Sequence, residues 1–600
     1  MRMHNYWSAD FETTTDPNDC RVWAYALSNI ENPDEFIYGN SISDFFNWCY
    51  ESKHNYTLYF FNLKFDGSFI LSWLLEAGFE FIEDKKDKRD MTFTTLITDM
   101  GQFYSIEIYF EVDGHKVNKV KILDAMKIFP NFSVERIAKG FNLPISKLKI
   151  DYTKYRPENH ELTETEIAYI RNDVEIVARA LHEMFDRGLT KMTIASDAMT
   201  NFKKHFDNFF HYFPELPEKV DADIRLSYRG GFTYASDKYT ETEIGEGCVL
   251  DVNSLYPYCM KNKPMPYGEP RFFEGEYITD DIFPLFIITF TCKFEIKPDK
   301  IPCIQLKNNL SFIPNEYLKS SKDEHVTLTL TSVDFELFKD HYKFWDVTYH
   351  GGWKFKMTIG LFDNYVDYWT EQKIKAGKEG NAAQRQIAKL MLNSLYGKFG
   401  VSINCGKKAP MLNEDGILSF VDLTPEKRKP IYIPVAAFIT AYGREKTIRT
   451  SQAIRDYTTK KYGVDKYYYS DTDSIHSGLN NEDLEELKEL LDIDDFKLGA
   501  WAKEAEFTRA IYIRQKCYIE EIEDTVSVTV AGLPKYLAPI ITFDNFKRGF
   551  STGEMSFQDM RELAMKNGAK PDDIENIHHK FTYKYVKGGV ILADTDFTIK

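Results

Sequence analysis

The segment Tyr467-Tyr-Tyr-Ser-Asp471-Thr-Asp473-Ser-Ile-His476 constrains this chain more than any other. Two carboxylates one residue apart, set inside an apolar and aromatic run, predict a tight strand-turn-strand that presents both acids on one face. Hard oxygen ligands of this kind select Mg²⁺ or Mn²⁺. Holding two ions about 3.5–4 Å apart, so that they clamp the entering and leaving oxygens of a phosphoryl transfer, takes a further carboxylate from elsewhere. Asp251 is the candidate.

Such an arrangement requires distant segments to converge, and 600 residues are enough for two to four domains with sizeable cores. Eight cysteines are scattered without a CxxC pair, which argues against a zinc site or a disulfide framework and for a reducing compartment. No run of 18 apolar residues occurs, and Asp10 and Glu12 interrupt the N-terminus before a signal segment could be completed, so a chain that is neither secreted nor membrane-spanning is expected. The net charge of −17 opposes nucleic-acid binding at first sight. That footprint is local, however, and an enzyme that gathers metal ions also concentrates carboxylates. Basic residues do cluster, at Lys373, Lys375, Lys378, Arg385, Lys389 and Lys398 and again over 398–408 and 427–429.

Residues 1–190 read as an α/β domain. Strands are expected near 7–13, 57–62 and 117–123, and a helix over 67–77. A last helix opens at Thr163 with Glu166 three residues on, a capping box, and runs to 185. The polar-aromatic stretch 201–223, with Pro214 and Pro217, reads as a connection between domains. Beyond it lies a mixed α+β body with one strong amphipathic helix over 381–396.

Asp251-Val-Asn-Ser-Leu-Tyr-Pro257 follows the apolar Cys248-Val-Leu250, placing Asp251 where a strand turns into a helix, a good position from which to hold a metal-bound triphosphate. Taken alone it is equally well read as an N-cap aspartate. Arg385, Lys389, Asn393 and Gly397 recur every four residues on one helix face. A solvated charged stripe is the ordinary reading, but this one ends in Asn393-Ser-Leu-Tyr396-Gly-Lys-Phe-Gly400, whose small residues permit close approach of a base pair. Ile511-Tyr-Ile-Arg-Gln-Lys516-Cys-Tyr518-Ile alternates as a strand would, with Lys516 and Tyr518 on one face; exposed alternation explains it equally.

Near the N-terminus, Asp10-Phe-Glu12 puts two carboxylates on one face of a strand, as surface alternation also does. Asn62-Leu-Lys-Phe-Asp66-Gly-Ser-Phe69 adds a third where a strand gives way to a helix, and Tyr169-Ile-Arg-Asn-Asp173 a fourth at i, i+4 from a tyrosine. Four acids and a tyrosine suit two-metal hydrolysis, with Tyr169 orienting the attacking water.

Taken together and in this order, the pieces resemble family-B DNA polymerases. Asp251-Val-Asn-Ser-Leu-Tyr-Pro resembles motif A, Lys389-Leu-Met-Leu-Asn-Ser-Leu-Tyr-Gly motif B, Tyr-Ser-Asp471-Thr-Asp473-Ser motif C, and Lys516-Cys-Tyr518 the Lys-x-Tyr motif. The N-terminal acids resemble the Exo I, II and III motifs of 3′-5′ proofreading exonucleases. Lys147 matches the catalytic lysine of the protein-primed members, with Lys149 close by as a rival, and Tyr228-Arg-Gly-Gly-Phe232 resembles the segment that coordinates DNA between synthesis and proofreading. Segments 261–358 and 400–429 resemble the two terminal-protein regions of protein-primed phage polymerases. The likeness to the phage phi29 type covers almost the whole chain, including Cys20-Arg-Val-Trp-Ala-Tyr25, Gly245-Glu-Gly247, Asn315-Glu-Tyr-Leu-Lys-Ser-Ser321 and Phe597-Thr-Ile-Lys600.

The resemblance implies an RNase H-like α/β exonuclease domain at 1–190 and an α+β right-hand polymerase domain at 191–600. The second divides into palm (191–260 and 430–530), first insertion (261–358), fingers (359–399), second insertion (400–429) and thumb (531–600). It implies two Mg²⁺ ions per active site, replaceable by Mn²⁺, held by Asp251, Val252 and Asp473 for synthesis and by Asp10, Glu12, Asp66 and Asp173 for digestion, with Asp471 near the primer terminus and Lys147 and Tyr169 assisting digestion. Tyr256, Lys373 or Lys375, Arg385, Lys389, Asn393 and Tyr396 are the implied nucleotide site. Asn62, Phe65, Phe69, Tyr228, Gly230, Gly231, Phe232, Lys516 and Tyr518 are the implied DNA contacts.

The implied partners are template and primer DNA, deoxynucleoside triphosphates, a terminal protein that primes synthesis through a hydroxyl, and a phage single-stranded-DNA-binding protein. The implied state is a monomer or a heterodimer with terminal protein, in the cytoplasm of an infected bacterium. Three departures stand out. Ala125-Met126 replaces a hydroxyl residue and Leu, the segment around 373–383 is longer, and 553–579 is longer and more charged. A conventional DNA-primed family-B polymerase is the alternative, disfavoured by the two insertions. A nuclease with an inert polymerase half and a non-catalytic scaffold are disfavoured by the full set of acids and bases.

Overall fold

The computed structural model describes residues 5–114, 116–152, 154–306 and 316–600; Asn315, which opens one of the likeness segments, lies outside them. An eight-stranded sheet forms the N-terminal layer, in the order Phe36–Gly39, Val22–Asn29, Tyr6–Thr13, Tyr56–Phe60, Lys116–Asp124, Phe103–Asp113, Thr92–Ile97, Glu80–Phe81. Its three central strands run parallel, so crossover segments must cover its faces. Helix Glu164–Asp186 opens on the expected capping box, with the Thr163 hydroxyl accepting from the Glu166 amide. Its Tyr169, Ile170 and Val174 are buried with Trp23, Ala24 and Ala26 of the sheet. Helix Leu63–Glu76 begins four residues before the expected start at 67. The reason lies outside the segment: Asp124 Oδ1, on a neighbouring strand, accepts the backbone amides of Asn62 and Leu63 and caps the helix in place of a local side chain.

A five-stranded antiparallel sheet, in the order Trp501–Phe507, Gly247–Val252, Ser474–Ser477, Tyr467–Asp471, Thr233–Ala235, carries the acids of the C-terminal half. The 30-residue helix Ile433–Tyr462 supports it, with Phe438, Ile439 and Ile448 in the same core as Leu250 and Ile475. A further sheet joins Glu243–Ile244, Arg509–Arg514, Cys517–Ile522 and Thr525–Val530. The expected single strand over 511–519 is therefore a hairpin. Arg514 pairs with Cys517 across a two-residue turn in which Lys516 takes φ 53°, so Lys516 projects from the turn instead of sharing a strand face with Tyr518.

The stretch 201–223 is not a linker. Phe202, Phe209, Phe213 and Leu216 are buried in the largest core of the molecule, and Phe202 stacks on Phe362 at 4.9 Å while Phe213 meets Phe399 at 5.4 Å. Its prolines punctuate short helices that pack, and the aromatic content is core. The same core takes in Tyr59, Leu123, Leu181 and Phe185, so the two halves of the chain share one interior.

Two β-hairpins meet over the N-terminal sheet. Lys408–Leu412 with Leu418–Asp422 and Lys580–Val586 with Gly589–Thr595 touch through the Ile417↔Lys587 bridge, and Phe420 sits between Phe103 (5.9 Å) and Tyr585 (5.7 Å). No helix among the described residues is long and apolar enough to cross a membrane.

Candidate active sites

Strand Gly247–Val252, second in the five-stranded sheet, carries Asp251 near its C-terminal end, in register with Ser474. Ser474 also pairs with Asp471 on its other side. Asp251 is not an N-cap, since the following helix, Leu255–Asn262, is preceded by Ser254 at φ 59°. The turn residue Thr472 is left-handed (φ 61°), which breaks the extended alternation expected to put Asp471 and Asp473 on one face. The two acids accordingly have different partners. Asp471 is held by Lys516, whose Nζ lies 2.8 and 3.0 Å from its oxygens, and accepts from the Thr233 hydroxyl at 3.0 Å. Asp473 instead acts on Asp251: burial first, and then the Asp473 charge, push the Asp251 carboxyl up to about 7. The Val252 amide donates to the Asp473 carbonyl at 2.8 Å and ties the two segments together.

Helix Ala382–Ser394 buries Ile387, Ala388, Leu390 and Met391 and leaves Arg385, Lys389 and Asn393 exposed. Lys373 is the lysine that stands with Arg385 and Lys389. Burial, and then these two like charges, hold its pKa below the ordinary lysine value, whereas Lys375 lies exposed 4.0 Å from Glu379. None of the three clustered cations has a carboxylate partner among the described residues. Tyr256 and Tyr396, from different helices, approach to 4.3 Å between ring centres. Tyr518 packs on Tyr469 (5.0 Å) and His476 (5.2 Å), above a buried network in which Glu520 Oε1 accepts from His476 (2.5 Å) and from the Tyr512 hydroxyl (2.6 Å). The Tyr469 hydroxyl in turn accepts the Lys516 amide at 3.0 Å, which fixes the hairpin turn.

The segment Tyr228–Phe232 lies against the acid turn. A Cβ on Gly231 would come within 2.6 Å of the Thr472 side chain, so glycine is required by close approach. Gly230 is exposed and Tyr228 half-buried beside Gly400. Phe232, expected to contact DNA, is fully buried; it packs on Tyr317 at 4.9 Å and its carbonyl accepts the Thr472 amide at 2.7 Å. From there it holds the turn through its backbone, and its side chain is not free to reach a ligand.

In the N-terminal sheet, Asp10, Glu12 and Asp173 bring carboxylate oxygens within 4.8 Å of one another, a group that could hold a metal ion. Burial and the Asp173 charge push Asp10 up to about 7, and burial with Asp10 pushes Glu12 well above the usual range. Lys147 Nζ sits 2.8 Å from Asp173 Oδ2, which singles it out over Lys149. Asp173 Oδ1 is buried with no hydrogen-bond partner, and a cation is the natural counterpart for an orphaned carboxylate oxygen. Asp66 stands outside the trio: it accepts the Phe11 amide at 3.3 Å and is pushed well above the usual range, by burial and then by Asp10. Tyr169 hydrogen-bonds the hydroxyl of Tyr152. Asn62 and Phe65 are half-buried at the rim, but Phe69, expected to stack on a frayed base, is 1% exposed beneath Gly589. Ala125, at the first departure from the phi29 pattern, is buried in a one-turn 3₁₀ helix.

The sequence signature described as DNA polymerase type B, organellar and viral, matches residues 51–488. The DNA polymerase of Bacillus phage M2 is 43% identical over 99% of this chain and 99% of its own length. That of Streptococcus phage Cp-1 is 32% identical over 99% and 98%. The solved structure of phi29 DNA polymerase complexed with primer-template DNA superposes at a TM-score of 0.88, with 40% identity, covering 99% of this chain and 100% of that one. This chain is a family-B DNA polymerase of the phi29 type.

Three residues of the polymerase's sites escape the sequence reading. Glu504 lies beside both acids, and its charge raises the pKa of Asp251 and Asp473. It is the extra residue of a β-bulge: Val249 pairs with Ala505 and Leu250 with Lys503, leaving Glu504 unpaired and re-aimed. Only the register reveals this. Arg444, on the long helix, donates to the carbonyls of Arg229 (2.9 Å) and Gly230 (2.7 Å) while bonded to Asp334 at 2.7 and 3.0 Å, and so sets the glycine segment against the acid turn. Tyr152, 49% exposed over the whole residue, turns its hydroxyl inward onto that of Tyr169; loss of hydration at the phenol, and then the Glu12 charge, push it up to about 12. Its nearness to Lys147 in sequence was the available signal.

Proposed function

We propose that this polymerase copies a linear phage genome by protein priming, displaces the non-template strand as it goes, and proofreads with a separate 3′-5′ exonuclease site. The closeness of Asp10, Glu12 and Asp173, in the same chain as the Asp251 and Asp473 pair, carries the reading of two sites. Domain assignments follow as 1–190 for the exonuclease and 191–600 for the polymerase, with palm, fingers, thumb and two insertions at the boundaries given above.

Both acid groups repel themselves in the absence of cations and are built from hard oxygen donors, which fits divalent metals, Mg²⁺ foremost with Mn²⁺ able to replace it. Asp251, Asp473, the Val252 carbonyl and Glu504 would hold the ions for synthesis, and Asp10, Glu12, Asp66 and Asp173 those for digestion. Bound there, the ions lower the cost of forming an oxygen nucleophile and neutralise charge that develops on phosphate. Lys373, Arg385 and Lys389 attract the triphosphate by positive charge. Tyr256 supports the sugar and excludes a ribose hydroxyl, while Tyr396 and Asn393 line the nascent pair. Lys516 and Tyr518 contact the primer backbone, a contact that carries no sequence information. In the exonuclease, Lys147 fixes the Asp173 carboxylate and Tyr169 orients water, while Asn62 and Phe65 hold the frayed end by amide hydrogen bonding and stacking.

The touching hairpins at Ile417 and Lys587 support a closed grip on DNA, the arrangement that processive synthesis without a clamp needs. Large apolar side chains exposed on the first insertion, among them Phe272, Ile278, Ile282 and Trp345, support its reading as a protein-binding region for a terminal protein. Extension of one primer on a single-stranded circle, with Mg²⁺, four deoxynucleotides and no accessory protein, tests the proposal. Products many circle lengths long are expected. Products ending at one circumference leave the polymerase in place and remove strand displacement, in favour of the conventional DNA-primed alternative.

A further inference from the structure

Asn62 is held from two sides. Its backbone, at φ 67°, donates its amide to Asp124 Oδ1 at 3.2 Å, and the same oxygen takes the amides of Leu63 and Met126 at 3.3 and 3.0 Å. Its side-chain Nδ2 donates to the phenol oxygen of Tyr583 at 3.0 Å, across 521 residues of sequence. Tyr583 belongs to the C-terminal hairpin Lys580–Val586 and Gly589–Thr595, and that hairpin is seated without slack. A Cβ on Gly589 would lie 2.4 Å from the Phe69 ring, and one on Gly588 (φ 90°) would lie 2.4 Å from the Cys20 carbonyl oxygen. Val586, Val590 and Ile591 are buried in one core with Phe69 and Ile70. The Tyr583 ring lies 6.0 Å from that of Phe65, and the Lys64 ammonium is 5.5 Å from its centre.

We propose that Tyr583 is a positioning residue for the exonuclease site, setting through the Asn62 amide the grip on the unpaired 3′ end of a DNA strand. This rests on the reading of Asp10, Glu12 and Asp173 as that site. With the backbone of Asn62 pinned by Asp124, the remaining freedom is rotation of the amide, and one hydrogen bond to a rigidly seated phenol removes it. No other side chain among the described residues bonds the Asn62 amide, so one of its two polar atoms stays available to a ligand already oriented. A pre-oriented group binds more tightly because it loses less freedom on binding. The effect belongs to binding, since the Tyr583 hydroxyl is hydrogen-bonded to Asn62 and to none of the acids that carry out hydrolysis among the described residues, although the Asp66 charge reaches it.

The test uses the full-length protein with Tyr583→Phe, which keeps the ring and deletes the hydroxyl, in steady-state digestion of a 5′-labelled single-stranded oligonucleotide. KM is expected to rise about five-fold, the factor that one neutral hydrogen bond supplies. The kcat of digestion, extension of a recessed primer and the Tm are expected to stay as in the parent. In an Asn62→Ala background the same substitution is expected to have no further effect. An unchanged KM overturns the proposal, as does an equal rise in the Asn62→Ala background or an equal loss in primer extension. Asp10→Ala run alongside keeps the two readings apart. If Asp10→Ala still digests, the site itself is misread; if it is inactive while Tyr583→Phe binds normally, only the role of Tyr583 is lost.

Discussion

The Lys516 ammonium spans both oxygens of Asp471, at 2.8 and 3.0 Å, from the tip of a hairpin whose turn is fixed by the Tyr469 hydroxyl. The pair is largely exposed on the lysine side (59%), where such bridges are worth about 0–1 kcal/mol. Under the proposed function, the pair places a cation at the primer terminus. Lys516→Met is therefore expected to leave Tm within about a degree of the parent and to raise the KM for primer-template at least ten-fold. Digestion of single strands should be untouched, and an equal loss of both activities would argue against a primer contact.

Separate sites predict separable losses. Asp251→Ala or Asp473→Ala should lower nucleotide addition by about 10³-fold or more, the scale of transition-state charge stabilisation, and leave 3′-5′ digestion intact. Asp10→Ala combined with Asp66→Ala should do the reverse. Glu504→Ala should cost synthesis alone, by a smaller factor. A folded variant from either set that lacks both activities refutes the division.

Proton linkage gives a signature in the absence of substrate. Asp10 and Asp251 each rise from 3.8 to about 7 on folding, through burial and then through a neighbouring carboxylate. A group with a raised folded pKa contributes stability that is fully present below its unfolded value and is lost as pH rises through the folded value. In EDTA, Asp10→Asn and Asp251→Asn should accordingly melt above the parent at pH 8, with the difference vanishing by pH 4. Mg²⁺ should raise the Tm of the parent at pH 8 and do so less in the variants. Calorimetry across that range decides, and a gap that widens toward low pH would contradict the electrostatic account.

Arg444 and Asp334 are nearly enclosed, with side-chain exposures of 5% and 10%. Removing one partner of a buried pair costs about 3–5 kcal/mol, because the other charge is left without its counterpart. Arg444→Met should destabilise by that amount in denaturant unfolding. It should also shift the balance between synthesis and digestion, since the carbonyls of Arg229 and Gly230 lose their donor. A loss below about 1 kcal/mol would place the pair outside the cooperative core.

The sequence by itself determined the chemistry and the local elements. The strand-turn-strand around Asp471 and Asp473, the capping box at Thr163 and Glu166, and the apolar face of Ala382–Ser394 depend on neighbours within a few residues and form where their patterns put them, although left-handed Thr472 parts the two acids that alternation had put on one face. Aromatic content near prolines misled at 201–223, because composition does not distinguish a polar linker from short helices whose rings fill a core. Alternation misled at 511–519, because a two-residue turn flips the chain without disturbing its hydrophobic period. What only the tertiary structure decided are relations between remote backbones. Lys516 bridges Asp471 while the Asp473 charge raises Asp251; a bulge aims Glu504 at Asp251 and Asp473; Asp124 caps another strand's helix; and Tyr583 reaches Asn62 across 521 residues. Register, bulges and docked hairpins are set by the packing of whole sheets, and no short window of sequence contains that information.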